Sequence, residues 1–217
     1  MSGKGRLPPA RLRAGRRITA LGAGMLLLTG AAAAVPQWLF AIGHAKALAV
    51  TLVSPARRSA LTVSSPAFGD GGAIPCKNTQ YCGNVFPGLT WSAGPAGTRS
   101  YVVIMQGPGE GAEISLHLTV FNIPAGVTRL PTGMTLPPAG ARLGPNVHGR
   151  HHAYAGPHPH GAGPNEYHIQ VFALDAPLRL SRSVTFPQLI AAMREHVLAD
   201  GQLVGFAAAP ARAGAAR

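Results

Sequence analysis

The chain has 217 residues, with nineteen Lys and Arg against seven Asp and Glu, and nine His. That length suits one domain with an appendage better than two domains of ordinary size. Residues 1–58 hold nine of the nineteen cations and none of the acids, so the body keeps a net charge of only +3. The high isoelectric point is therefore a property of the N-terminus. The body has no basic helix with interleaved aromatics and no nucleic-acid motif, so no nucleic-acid partner is expected.

The head comes first in chain order. Arg6, Arg11, Arg13, Arg16 and Arg17 precede Ile18 to Val35, an uncharged run rich in small apolar residues. A positive segment followed by such a run reads as an export signal or a membrane-anchor helix, since the run lies between a signal core and the roughly 20 residues of a bilayer span. Ala32-Ala33-Ala34 and Ala45-Lys46-Ala47 both offer cleavage sites, so cleavage and retention as an anchor both stay open. The expected division is residues 1–58 as signal or anchor and linker, 59–207 as the folded domain and 208–217 as a disordered tail. The implied location is the periplasm, either free or tethered to the inner membrane with the body facing outward.

In PCKNTQYCGN, five residues separate Cys76 from Cys82 within a turn-rich loop. A structural bridge would suit an oxidising compartment, and two free thiols are the alternative. Neither a CxxC motif nor a zinc spacing is present. Four segments then carry strand signals: residues 60–65, 99–105, 116–123 and 166–175, all rich in Val, Ile, Tyr, Phe and Thr between Pro and Gly punctuation. In the last, Tyr167, Ile169, Val171 and Ala173 alternate with His168, Gln170, Phe172 and Leu174, which puts the two sets on opposite faces. One helix is expected from Thr185 to Gly201, with Thr185 as cap, Pro187 in the first turn, and Leu189, Ile190, Met193 and Val197 along one stripe. The result is a mainly β domain, an antiparallel sandwich with a few peripheral helices.

From Leu61 to Gly205 the chain resembles the phosphatidylethanolamine-binding protein family, in its bacterial Raf-kinase-inhibitor-like branch of YbhB/YbcL type. The landmarks occur in the family's order: LTVSSPAFGDGGAIP, NVFPGLTW, WSAGPAGTRSYVVIM, LHLTVFNIPAGVTRLP, AGPHPHGAGPNEYHIQVFALD and LIAAMREHVLADGQLVG. The resemblance implies a β-sandwich-like domain with a small pocket at one end for phosphate or a phospholipid head group. It places His117 at the pocket histidine and Tyr167 at the tyrosine of a His-Arg-Tyr triplet. Asn165 falls at the triplet's histidine, Gly107 and Pro108 on one pocket loop, and Gly156 and Pro157 on another. An oxyanion site needs donors that replace water, and imidazolium and phenol supply them.

Departures from the family weaken the expected site. The loop from Gly107 to Gly111 lacks the family's two aspartates, Asn165-Glu166-Tyr167 replaces His-Arg-Tyr, and Leu118 replaces a tryptophan. Alternation along a strand puts Glu166 outward if Tyr167 points in. His148, His151, His152, His158, His160 and His168 crowd twenty-one residues. Of these, His158 and His160 sit within the pocket loop, read as a solvent-facing addition and only weak metal candidates, since a metal needs several converging imidazoles. The leading expectation is a non-catalytic, exported ligand-binding or partner-inhibiting module without cofactor. It would recognise a small anion or a protein target, and would meet the membrane through its N-terminal segment if that is uncleaved. A His-rich periplasmic metal binder is the alternative. A hydrolase has the least support, because seven scattered acids offer no close carboxylate pair and no nucleophile elbow occurs.

Overall fold

A computed structural model describes residues 44–53, 59–109, 113–149, 154–161, 163–181 and 183–210. The signal or anchor expected over Ile18–Val35, the tail residues 211–217, and His151 and His152 lie outside them. The elements in chain order are β1 (His44–Ala45), α1 (Ala49–Val53), β2 (Ser59–Ala60), β3 (Val63–Ser64), β4 (Gly72–Ala73), β5 (Leu89–Trp91), β6 (Ser100–Pro108) and β7 (Ile114–Pro124). They continue with β8 (Arg129–Leu130), β9 (Arg142–Leu143), β10 (Asn165–Leu174), α2 (Phe186–Met193) and β11 (Val197–Ala207).

The main sheet runs β1-β7-β6-β10-β11-β2, with β9 added beside β7 and β4 beside β11; a second sheet runs β3-β5-β8. Pairings are antiparallel except β11 with β2 and β11 with β4. The long strands β6, β7 and β10 are buried on both faces and read as near-continuous apolar runs, because each face has its own cover. Tyr101, Val103, Met105, Tyr167, Ile169 and Val171 meet the small sheet's Val63, Leu89, Trp91 and Leu130. Val102, Ile104, Phe172 and Leu174 instead meet helix residues Ala49, Val53, Phe186, Leu189, Ile190 and Met193. The fold is mainly β, with two sheets face to face and helices on the outer side.

Three expectations are modified. Ala45, Ala49 and Val53, assigned by sequence to the head, lie in the helix-side core, and β1 pairs with β7. The packed body therefore starts before residue 59. The segment 60–65 is not one strand: β2 joins the main sheet and β3 the small one. The helix ends at Met193 and does not reach Gly201. Val197 opens β11, which pairs with β10 from Leu174↔Val197 to Asn165↔Ala207. Burial of a full strand ladder outweighs a four-residue extension of a helical stripe. Gly201 serves that strand, because a Cβ there would strike the Leu61 backbone, whose N–H donates to Asp200 O at 2.8 Å. At the other end of the helix the expected cap is present, with the Thr185 N–H donating to Gln188 Oε1 at 2.9 Å.

Candidate functional site

The site grows from a β-bulge. On β6, Met105 pairs with Leu118 and Gln106 with Leu116, so His117 is the extra residue of a bulge in β7. A bulge kinks the strand and re-aims the side chain it carries. Leu116 consequently faces the helices while Leu118 faces the small sheet, two residues apart yet on opposite sides. His117, buried between them, is held by Ala155: the Ala155 N–H donates to His117 O at 2.8 Å, and the ring's Nδ1 lies 2.7 Å from Ala155 O. A carbonyl can only accept, so Nδ1 carries the hydrogen and protonation would place a second N–H on Nε2.

Tyr167 lies beside it on β10, with ring centroids 5.1 Å apart in an edge-to-face arrangement. Burial pushes the Tyr167 phenol up to about 12, against a downward pull from hydrogen bonds with the His158 backbone and the Asn165 side chain. Gly107 makes room for the pair. A Cβ at residue 107 would collide with the Tyr167 ring and stand 3.2 Å from His117 Nε2.

These residues open onto a cavity of about 290 Å³ lined by Gln80, Pro108, Gly109, Ser115, His117, Val147, His148, His158, His160, Asn165 and Tyr167. Of the residues expected from sequence, His117, Tyr167, Asn165 and Pro108 therefore converge, joined by His158 and His160. Gly107 lies beneath them as the cradle. Gly156 and Pro157 are elsewhere engaged: the Gly156 N–H donates to Asn84 Oδ1 at 2.6 Å, its carbonyl accepts from Gln80 Nε2 at 2.7 Å, and Pro157 O accepts from the Gln80 N–H at 3.0 Å. They anchor the loop and leave its histidines at the cavity.

Ser115 and Gln80 were missed. Ser115 stands two residues before His117 and pairs with Gly107, a register visible only once the bulge is placed. Gln80 belongs to the loop closed by a Cys76–Cys82 disulfide, with Cα atoms 5.5 Å apart. Its Nε2 is committed to Gly156 O, so its Oε1 is left to accept from His148 Nε2 at 3.2 Å. No Lys, Arg, Asp or Glu lines the cavity among the described residues. Glu166 points away, as alternation requires, and lies 3.3 Å from His168 Nε2. Among the described residues no group of three or more His, Cys, Asp or Glu is arranged to hold a metal, and no helix is long and apolar enough to cross a membrane.

Known proteins share this arrangement of strands. The crystal structure of Escherichia coli YbcL, described as a member of the mammalian PEBP family, superposes with a TM-score of 0.63 at 25% identity, covering 70% of this chain and all of that one. A PEBP homologue from Chlamydia trachomatis gives 0.62 at 29% identity, covering 70% and 99%. A UPF0098 protein of Methanothermobacter thermautotrophicus is 30% identical over 149 residues, 67% of this chain and 97% of its own. A Mycobacterium tuberculosis chain carrying the name lipoprotein LppC is 33% identical over 162 residues, 74% of this chain and 79% of its own. The model of the family described as phosphatidylethanolamine-binding protein matches residues 64–207. The chain belongs to the phosphatidylethanolamine-binding protein family.

Proposed function

We propose that this protein is an exported, non-catalytic receptor for a small oxyanion, phosphate or the phosphate of a phospholipid head group. The observation that carries the reading is the convergence of His117, Ser115, Asn165 and Tyr167 on one cavity with no carboxylate among its described lining residues. Ser115, Asn165 and Tyr167 each offer an N–H or O–H donor, and His117, whose Nδ1–H is committed to Ala155 O, offers one at Nε2 when protonated; a pocket of such donors without a fixed negative charge suits an anion. At about 290 Å³ the cavity lies at the lower edge of the roughly 300–1,000 Å³ typical of small-molecule sites, so it suits a head group and not acyl chains. Without a Lys or Arg among the described lining residues, binding is weak: one missing charged hydrogen bond costs about 1.5–3 kcal/mol, roughly ten- to a hundredfold in affinity.

Calorimetric titration with inorganic phosphate and with phosphoethanolamine tests this reading. Saturable binding near millimolar strength that His117→Ala abolishes is expected; identical titrations for both chains would refute it. Export is supported by the basic, acid-free head, by the Cys76–Cys82 bridge and by the lipoprotein name of a relative. A fusion of residues 1–58 to alkaline phosphatase should be active in a bacterial host, and an inactive, cytoplasmic fusion would remove this part of the reading.

A further inference from the structure

We propose that His158 and His160 form a two-imidazole clamp on the open side of the cavity, both rings donating to a doubly charged oxyanion that binds with uptake of a proton. This rests on the receptor reading above and gives ligand contacts to two side chains that the sequence reads as a solvent-facing addition to the pocket loop. Both rings line the cavity while remaining exposed, with centroids 4.6 Å apart and planes at 89°. They project from a stiff frame. Pro157 and Pro159 fix the backbone on either side of His158, and the carbonyls of both prolines are tied to one neighbouring loop: Pro157 O accepts from the Gln80 N–H, Pro159 O from the Tyr81 hydroxyl. The Tyr81 ring lies against His158 with centroids 4.5 Å apart.

The charge balance around the pair gives the coupling. Among the described residues, the titratable groups facing it are Tyr81 from the disulfide loop, His117 from β7, His148 from the segment after β9, and Tyr167 from β10, and none of these is a permanent ion. Glu166 is turned to the opposite side of β10, beside His168. Two imidazolium cations at this spacing repel. An oxyanion that accepts from the N–H edges of both rings at once offsets that repulsion, so its binding favours the doubly protonated pair. A ligand with two negative charges gains most, which singles out sulfate-like and phosphomonoester dianions over carboxylates.

Sulfate is the probe of choice, because it exchanges no proton near neutral pH and any uptake belongs to the protein. Titration calorimetry of the full chain near pH 7, in two buffers of different ionisation enthalpy, should give net proton uptake on sulfate binding. In histidine-selective NMR, two Hε1 resonances missing from H158Q and H160Q respectively should move toward imidazolium positions as sulfate is added. Each single variant should bind about tenfold more weakly and the double variant about a hundredfold, with diminished uptake, as expected for one and two lost charged hydrogen bonds. Both residues are exposed, so the double variant's unchanged melting temperature serves as the folding control. Sulfate binding without uptake, or a double variant with wild-type affinity, overturns the clamp and leaves the receptor reading standing. No binding of sulfate or phosphate at any pH overturns both.

Discussion

Gln170 donates its side-chain amide to Gln106 Oε1 at 2.8 Å, and this pair, fully buried in the sheet, provides the docking site for α1. Gln106 Oε1 also accepts from the Ala49 N–H at 2.7 Å, Gln170 Oε1 accepts from the Val50 N–H at 2.7 Å, and Gln106 Nε2 donates to Ala47 O at 3.2 Å. A helix start leaves N–H groups unsatisfied, and here the sheet supplies the acceptors. Gln106→Leu removes the acceptor from two buried donors, each costing about 1–3 kcal/mol if left unpaired. Urea denaturation should show a loss of that order, and a chain beginning at Ser59 should be less stable than one beginning at His44. Equal stability of those two chains would mean that the segment 44–53 contributes nothing to the fold.

The Cys76–Cys82 bridge closes a loop of seven residues, and the chain-entropy estimate for a loop of that size is about 2 kcal/mol. The double replacement by Ser should lower the melting temperature to that of wild type in reductant, and reductant should not lower it further. The same loop carries Gln80 and Tyr81, which brace the loop from Gly156 to His160. Anion affinity should therefore fall along with stability. Affinity that survives full reduction would show that the brace holds without its staple.

The long strands were legible because their apolar runs dominate any local competition, and β6, β7 and β10 occupy the segments that the sequence marks. The pocket pair His117 and Tyr167 was legible through ordered motifs and not through periodicity. What escaped has common physical causes. Val197 continues a helical stripe on paper, but a strand partner along the whole of β10 lies far off in sequence and cannot be read from it. Ala45 to Val53 sits beside a strongly apolar head, so composition alone placed it there, although Gln106 and Gln170, more than fifty residues away, fix it to the sheet. Gln80 reaches the site only because a disulfide turn folds it back onto Gly156.

Gly107 tests the pocket from below. Any side chain there meets the Tyr167 ring and crowds His117 Nε2, and the two rings are carried by β7 and β10, the strands on either side of Gly107's own strand β6. Gly107→Ala should cost about 1–3 kcal/mol in stability, the range for overpacking a close-packed interior. Phosphate affinity should drop more than in Gly161→Ala, where a Cβ meets nothing within 4 Å, although Gly161 has a φ of +92° and Ala carries backbone strain there. Crystal structures of the two variants would show whether the Tyr167 ring has moved, and an unmoved ring with unchanged affinity would contradict the cradle.

Alkaline pH probes the core behind the pocket through two buried phenols. Burial holds Tyr154 well above the ordinary phenol range and raises Tyr167 to about 12. Tyr154 also donates its hydroxyl to Asn78 O at 2.7 Å, which requires the neutral form. In the unfolded chain both ionise near pH 10, so below that value neither state loses a proton and stability is indifferent to pH on their account. Above about pH 10 the unfolded chain ionises while the folded phenols stay protonated. The unfolded state then binds fewer protons, and stability falls by about 1.4 kcal/mol per pH unit for each phenol held neutral. The Tyr167 share of that loss is complete once pH passes about 12. Urea midpoints should be flat from pH 8 to 9.5 on this account and decline beyond 10, with a shallower decline in Tyr167→Phe and the shallowest in the double variant with Tyr154→Phe. A decline of the same steepness in all three chains would assign the alkaline loss to other groups and remove the claim that these two phenols are held neutral by the fold.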